Sequence, residues 1–187
     1  MIPIRERIRN GLSTLVPRSL PGQYTSEAAV LMPIFEREGQ PHFLLTRRTE
    51  AVQTHKGQIS FPGGMREGNE TLERTALRET FEEVGIEESG IQILGRFHDY
   101  LSVTDSRVSP FAGFIPGPFS PRPHVAEVAE VLYVPFHIFL DLSRLRIERW
   151  NRKGREVDVY FFSYGPHEIW GLTARIIRDF LHELGFD

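Results

Sequence analysis

The chain has 187 residues, a formal net charge of -3 and no cysteine, which suits one sizeable core and excludes disulfides, thiolate metal sites and cysteine nucleophiles. Its hydrophobic share of 40% and charged share of 25% are those of an ordinary globular protein, and the slight acidity leaves no basic footprint for nucleic acid. No apolar run approaches the ~18 residues that span a bilayer, and the N-terminus lacks the apolar stretch of a secretory signal, so no membrane partner and a cytoplasmic location are expected.

Ile4, Ile8 and Leu12 recur every fourth residue among Arg5, Arg7 and Arg9. That spacing predicts a short amphipathic helix covering the domain, and Glu6 argues against the alternative of an arginine-rich transit peptide. Residues 16–25 read as a linker, making 1–25 an N-terminal helix and connection. Residues 28–35 and 42–46 read as strands joined by the polar turn 36–40. Residues 49–64 are loop-like apart from Ile59 and Phe61. Residues 70–84 form the clearest helix, with Gly85 as its stop. Strand-like stretches follow at 91–97, 109–115 and 131–134, with a proline-rich loop at 116–123. Residues 144–150 and 157–162 suggest a hairpin turning at 151–154, and a helix over 173–184 closes the chain. The expectation is a single α/β (α+β) domain over 1–187, with helices packed on a mixed sheet.

The middle helix concentrates negative charge. Glu79, Glu82 and Glu83 stand at i, i+3 and i+4, within about 100° of arc on one face. Arg78 can relieve Glu82 across a turn, but one arginine cannot neutralise three carboxylates. Leu72, Thr75 and Ala76 begin the same stripe, and Leu77, Phe81 and Val84 suggest a second, apolar face. Carboxylates held beside a core need a cation, and hard oxygen ligands select magnesium, manganese or calcium. A bare Glu-x-x-Glu-Glu is more often a solvated face. What tips the reading is Phe61-Pro62-Gly63-Gly64 just upstream, where glycines let backbone groups approach a phosphate or metal closely.

These residues resemble the Nudix box, Gly-x5-Glu-x7-Arg-Glu-U-x-Glu-Glu-x-Gly-U, with U apolar. Gly64, Glu70, Arg78, Glu79, Glu82, Glu83, Gly85 and Ile86 fall at the required spacing, and only Thr80 departs, at the first apolar position. The resemblance, carried by residues 63–86, implies a Nudix-type αβα sandwich with a central mixed sheet. It implies hydrolysis of a nucleoside diphosphate linked to another moiety, with Mg2+ (or Mn2+) as cofactor. Glu79, Glu82 and Glu83 would ligate the metal with a Gly63 or Gly64 carbonyl, Arg78 would orient the glutamates, and Glu70 would support them from behind. Glu82 is the first candidate to accept the proton of the attacking water and Glu127, far along the chain, the second.

Upstream, Leu44-Leu45-Thr46-Arg47-Arg48, Gly57 and Phe61-Pro62-Gly63-Gly64 are similar to the signature of coenzyme A diphosphatases. Thr49 and Gln53 depart from it, the second removing an arginine. Ile169-Trp170-Gly171-Leu172-Thr173-Ala174 also resembles that subfamily. The substrate it implies is coenzyme A, cut to 3′,5′-ADP and 4′-phosphopantetheine, with Arg47, Arg48, His55 and Lys56 as candidate phosphate contacts. A homodimer is a frequent state of the family. A Nudix hydrolase of NADH, ADP-ribose or a diadenosine polyphosphate, and a non-catalytic nucleotide sensor, are the competing readings; the intact box argues against the second. His98, Asp99 and Asp105 read as a strand end with turn residues. Trp150, Tyr160, Phe161, Phe162 and Tyr164 read as core or a dimer surface before a ligand pocket, and Trp170 as a packing anchor.

Overall fold

A computed structural model describes residues 2–20, 22, 24–50, 56–152 and 154–186. Its centre is a hairpin of β1 (Ser26–Arg37) and β2 (Gln40–Arg48). The two residues between them, Glu38 and Gly39, both have positive φ (53° and 71°), the geometry that matches the twist of the flanking strands. β1 and β2 pair only from Ile34 and Phe43 down to the turn. Beyond that they diverge. Two short strands, β3 (Ile59–Ser60) against β2 and β4 (Gly63–Met65) against β1, fill the opening.

On its other side β1 runs parallel to β7 (Ser106–Phe114), which continues to β5 (Gln92–Arg96) and to β6 (Tyr100–Leu101). β8 (Val128–Pro135) lies antiparallel to β2. The sheet is therefore mixed, as the sequence implied. Side chains alternate across it. Ala29, Leu31, Phe35 and Leu44 face one way and pack on Ala76, Leu77 and Val84 of α2 (Leu72–Val84). Met32, Ile34, Phe43 and Leu45 face the other way and meet Ile8 and Leu12 of α1 (Ile4–Thr14) and Ile176, Ile177 and Phe180 of α4 (Gly171–Glu183). Two apolar cores on opposite faces of one sheet make an αβα sandwich.

A second, three-stranded sheet lies in the order β11 (His167–Trp170), β10 (Arg155–Tyr164), β9 (Leu145–Arg152), following the short α3 (His137–Leu140). It divides the aromatic residues expected to act together. Tyr160, Phe162 and Tyr164 point into the core shared with α4. Phe161 stacks on Trp170 (centroids 5.6 Å apart, planes at 8°) with Trp150 beside them, on the opposite face.

Several boundaries differ from expectation. Residues 49–64 are not all loop, since β3 and β4 fall there, and β6, α3 and β11 were not anticipated. The middle helix begins at Leu72 because the Thr71 hydroxyl caps it, accepting from the Arg74 amide at 3.2 Å. Gly85, at φ 66°, ends it as expected. Phe81 is not part of an apolar face: it is 47% exposed. His98 and Asp99 lie just past the end of β5, as expected, and are buried there. His98 Nδ1 accepts the Arg18 amide and its Nε2 meets Glu183, while Asp99 accepts from Ser109 and Arg96, so the pair fastens the linker after α1.

Candidate active site

Helix α2 delivers its three glutamates to different depths. Glu83 is 4% exposed, Glu79 is half-buried, and the Glu82 side chain is 54% exposed. Glu79 and Glu83, one turn apart, look toward β4. There Gly63 and Gly64 leave no room for side chains. A Cβ on Gly63 would stand 2.6 Å from Val30 Cα, and one on Gly64 2.5 Å from the Glu79 carboxyl carbon. The two glycines thus form a slot into which the Glu79 carboxylate fits against the main chain.

The electrostatics of the slot are unfavourable to negative charge. Burial pushes the Glu83 carboxyl up to about 8; Arg48 and the Gly63 N–H oppose this, and the charges of Glu79 and Glu127 add to it. Burial also raises Glu79, against the pull of Arg78. Glu83 Oε1 lies 3.6 Å from Arg48 Nη1, while Glu83 Oε2 is buried with no hydrogen-bond partner. Such an orphaned acceptor costs about 1–3 kcal/mol, more where it is charged.

Arg78 behaves as a clamp. Its Nη1 donates to Glu79 (2.8 Å) and Glu82 (3.0 Å), its Nη2 to Glu70 (2.9 Å) and the Met65 carbonyl (3.0 Å), and its Nε to Glu70 (3.3 Å). The fork geometry of guanidinium makes this many-sided contact available. Glu70 also accepts from the Thr75 hydroxyl and the Glu67 amide. Chiefly through Arg78, its carboxyl is held at about 2, and Glu70 in turn raises Arg78 above its ordinary value.

Glu127 arrives from the loop before β8. The loop is fastened to the end of α2, where the Arg122 amide donates to the Val84 carbonyl (2.7 Å) and the His124 amide to the Glu83 carbonyl (2.9 Å). These carbonyls are among those a helix C-terminus leaves without partners. Glu127 stands close enough for its charge to act on both Glu79 and Glu83, and its side chain meets His124 Nδ1 at 3.2 Å. His124 was not singled out in the sequence; its position three residues before Glu127 was the available signal.

The expected phosphate contacts do not share one place. Arg47 Nε donates to Glu130 at 3.1 Å, a carboxylate also approached by His167, whereas Arg48 reaches Glu83. Lys56 is exposed in the turn before β3. His55 lies outside the described residues.

As they lie, no three His, Asp or Glu side chains among the described residues stand close enough together to hold a metal ion; Arg78 and Arg48 draw the carboxylates toward themselves. The donor chemistry nonetheless fits a hard divalent cation: two carboxylates with raised proton affinity, an unpartnered buried oxygen and a glycine main chain beside them.

The family model described as NUDIX domain matches residues 25–169. The chain belongs to the Nudix hydrolases. Its curated relatives include the protein called uncharacterized Nudix hydrolase NudL. The Photorhabdus laumondii form is 39% identical over 158 residues, covering 84% of each chain. The Enterobacter form is 38% identical over 160 residues, covering 85% of this chain and 83% of its own. Among solved structures, a MutT/nudix family protein from Enterococcus faecalis covers 100% of this chain and 71% of its own, with TM-score 0.58 and 17% identity. The M. smegmatis Nudix hydrolase RenU covers 62% and 74%, with TM-score 0.53 and 23% identity. These last two share the fold. As a Nudix hydrolase, the chain acts on a nucleoside diphosphate linked to another moiety. Among its described residues no helix is long and apolar enough to cross a membrane.

Proposed function

We propose that this Nudix hydrolase cleaves the diphosphate of coenzyme A to 3′,5′-ADP and 4′-phosphopantetheine. The observation that carries the hydrolytic part is the Gly63–Gly64 slot, which presses Glu79 against the main chain and leaves the buried Glu83 oxygen without a partner. The choice of coenzyme A is supported by the run from Leu44 to Gly64, which resembles the coenzyme A diphosphatase signature apart from Thr49 and Gln53, and by residues 169–174, which resemble the same subfamily. Arg48, from that run, stands at the slot.

In this reading Glu79, Glu82 and Glu83, with a Gly63 or Gly64 carbonyl, hold Mg2+ or Mn2+. An ion held there would supply counter-charge for the diphosphate and would acidify the attacking water. Arg78 fixes Glu79 and Glu82 in register, and Glu70 fixes Arg78 from behind. Arg48 meets phosphate oxygens once its contact with Glu83 is shared with the substrate. Of the two carboxylates suited to take the proton of water, Glu82 already accepts from Arg78. Glu127 lies near enough for its charge to act on the buried pair, and His124 beside it can pass the proton to solvent. Glu127 is therefore the stronger candidate, and Glu82 the second.

Product analysis after incubation with coenzyme A, with and without Mg2+, tests the reading. Magnesium-dependent release of 3′,5′-ADP is expected. Cleavage of NADH, ADP-ribose or a diadenosine polyphosphate but not of coenzyme A would keep the hydrolytic site and remove the substrate. No cleavage of any of them would favour a nucleotide-sensing module.

A further inference from the structure

Glu83 and Arg48 meet without completing each other. Glu83 is buried, and its Oε1 lies 3.6 Å from Arg48 Nη1, beyond the usual reach of a hydrogen bond. Glu83 Oε2 and Arg48 Nε are both buried with no hydrogen-bond partner. A buried pair of this kind repays its desolvation only where hydrogen bonds satisfy the remaining lone pairs and protons. This one leaves an acceptor and a donor idle at the same place.

The other arginine of the site is bonded in the opposite way. Arg78 donates to three carboxylates and a carbonyl, at 2.8–3.3 Å. Both guanidiniums face the acidic stripe of α2. Arg78 is a fixed part of it, whereas Arg48 touches it at one long contact.

Arg48 has a fixed base and a loose tip. Its amide donates to the Gln58 carbonyl at 3.0 Å. The next residue, Thr49, donates its amide to the Glu127 carbonyl and its hydroxyl to the Ala126 carbonyl, each at 2.9 Å. The pairing of β2 with β8 shifts register between Arg47 and Arg48, the kind of irregularity that re-aims a side chain beside an active site. The main chain is thus tied to both neighbouring segments. The side chain, 25% exposed, has room on its solvent side.

We propose that Arg48 is a place-holder for the cation: it pairs with Glu83 in the metal-free protein and gives that carboxylate up when a divalent ion enters, which frees its guanidinium for the diphosphate. A hard cation uses the oxygen lone pairs that Arg48 leaves idle, Glu83 Oε2 among them. One side chain then couples the two binding events, and coupling of this kind is reciprocal. The inference rests on the reading of Glu83 as a ligand of Mg2+ or Mn2+, and not on which nucleotide is cleaved.

The test follows the arginine itself. Phenylglyoxal labelling at mildly alkaline pH, read residue by residue by mass spectrometry, compares the wild type in EDTA and in Mg2+, without nucleotide. Arg48 should react about fivefold or more faster in Mg2+, with Arg78 slow in both. Isothermal titration with Mg2+ on the same protein separates the two possible failures. Binding of Mg2+ with unchanged labelling of Arg48 overturns the proposal and keeps the metal site; no binding overturns the metal reading and the proposal with it. An equal rise at Arg78 would mean that the site opens as a whole, and also overturns the proposal. In Glu83→Gln, Arg48 should be labelled at the fast rate with or without Mg2+. Slow labelling of that variant in EDTA would show that another group holds Arg48, and would overturn the proposal too.

Discussion

The Glu79 carboxyl carbon lies 2.5 Å from where a Cβ would stand on Gly64. The carboxylate and the absent side chain occupy the same space. In Gly64→Ala, Glu79 must move away from the main chain, or β4 must move off β1. Displacements near 1 Å in such sites cost about 100-fold in rate. Turnover should fall by about that factor while the circular dichroism spectrum is unchanged. Full activity in Gly64→Ala would separate Glu79 from the reaction.

Glu83 gives a pH dependence with a definite sign. Its folded carboxyl sits at about 8, above the ordinary 4.5. A raised carboxyl stabilises the fold at low pH, and the contribution is lost as pH rises from about 4.5 through about 8. The protein in EDTA should therefore lose stability across that window, by a few kcal/mol. Mg2+ should restore it at pH 8, because the ionised form then has its counter-charge. Glu83→Gln should abolish most turnover, and in EDTA should flatten the pH dependence of its melting temperature.

Arg78 touches Glu70, Glu79, Glu82 and the Met65 carbonyl at once. Lysine offers a point charge and cannot span them. Arg78→Lys should lower kcat about 10–100-fold, with a smaller effect on KM. It should also expose Glu70. The wild-type carboxyl is held at about 2, so its contribution is present above about 4.5 and lost only as pH falls toward 2. The variant should begin acid unfolding at a higher pH than the wild type.

Phe61 links core to site. It is buried edge-on against Phe43, 5.5 Å between centroids, three residues before the end of the glycine pair. Phe61→Ala should cost about 3–5 kcal/mol in urea unfolding. If the aromatic ring also seats the Gly63–Gly64 slot, the folded variant will turn over more slowly than stability alone explains. Activity at full wild-type level in the cold would show that the slot holds itself.

The helix and its carboxylates were legible because their signals are local. Residues three and four apart share a face whatever the rest of the chain does, and Gly85 marks the end of α2, whereas the Thr71 cap at its start was not read. The two-face packing of the sheet was implied by the resemblance to the Nudix family rather than by alternation, since β1 is apolar on both faces. What the sequence hid depends on distant partners. β4 is made of Gly63, Gly64 and Met65, poor strand formers, and exists because β1 passes alongside with no room for side chains. β11 is four residues that become a strand by pairing with β10. Phe81 follows the apolar period of α2 but lies on its open side. Arg47 and Arg48, adjacent in sequence, reach different partners, Glu130 and Glu83, across a register shift that lies between them.

The bonds from Arg122 and His124 to the last carbonyls of α2 lie at the downstream end of the proline-rich loop 116–123. The loop is therefore moored at its exit, near Glu127, as well as at Phe119, which packs edge-on against Phe35 and Tyr133. Slack can be let in or taken up before the mooring without the carboxylate drifting. Residues added next to the exposed Gly117, ahead of Phe119, should be absorbed as a larger bow, while a single residue inserted between His124 and Glu127 should carry that side chain away from Glu79 and Glu83. Length variation in this stretch is thus insulated from the chemistry at its end.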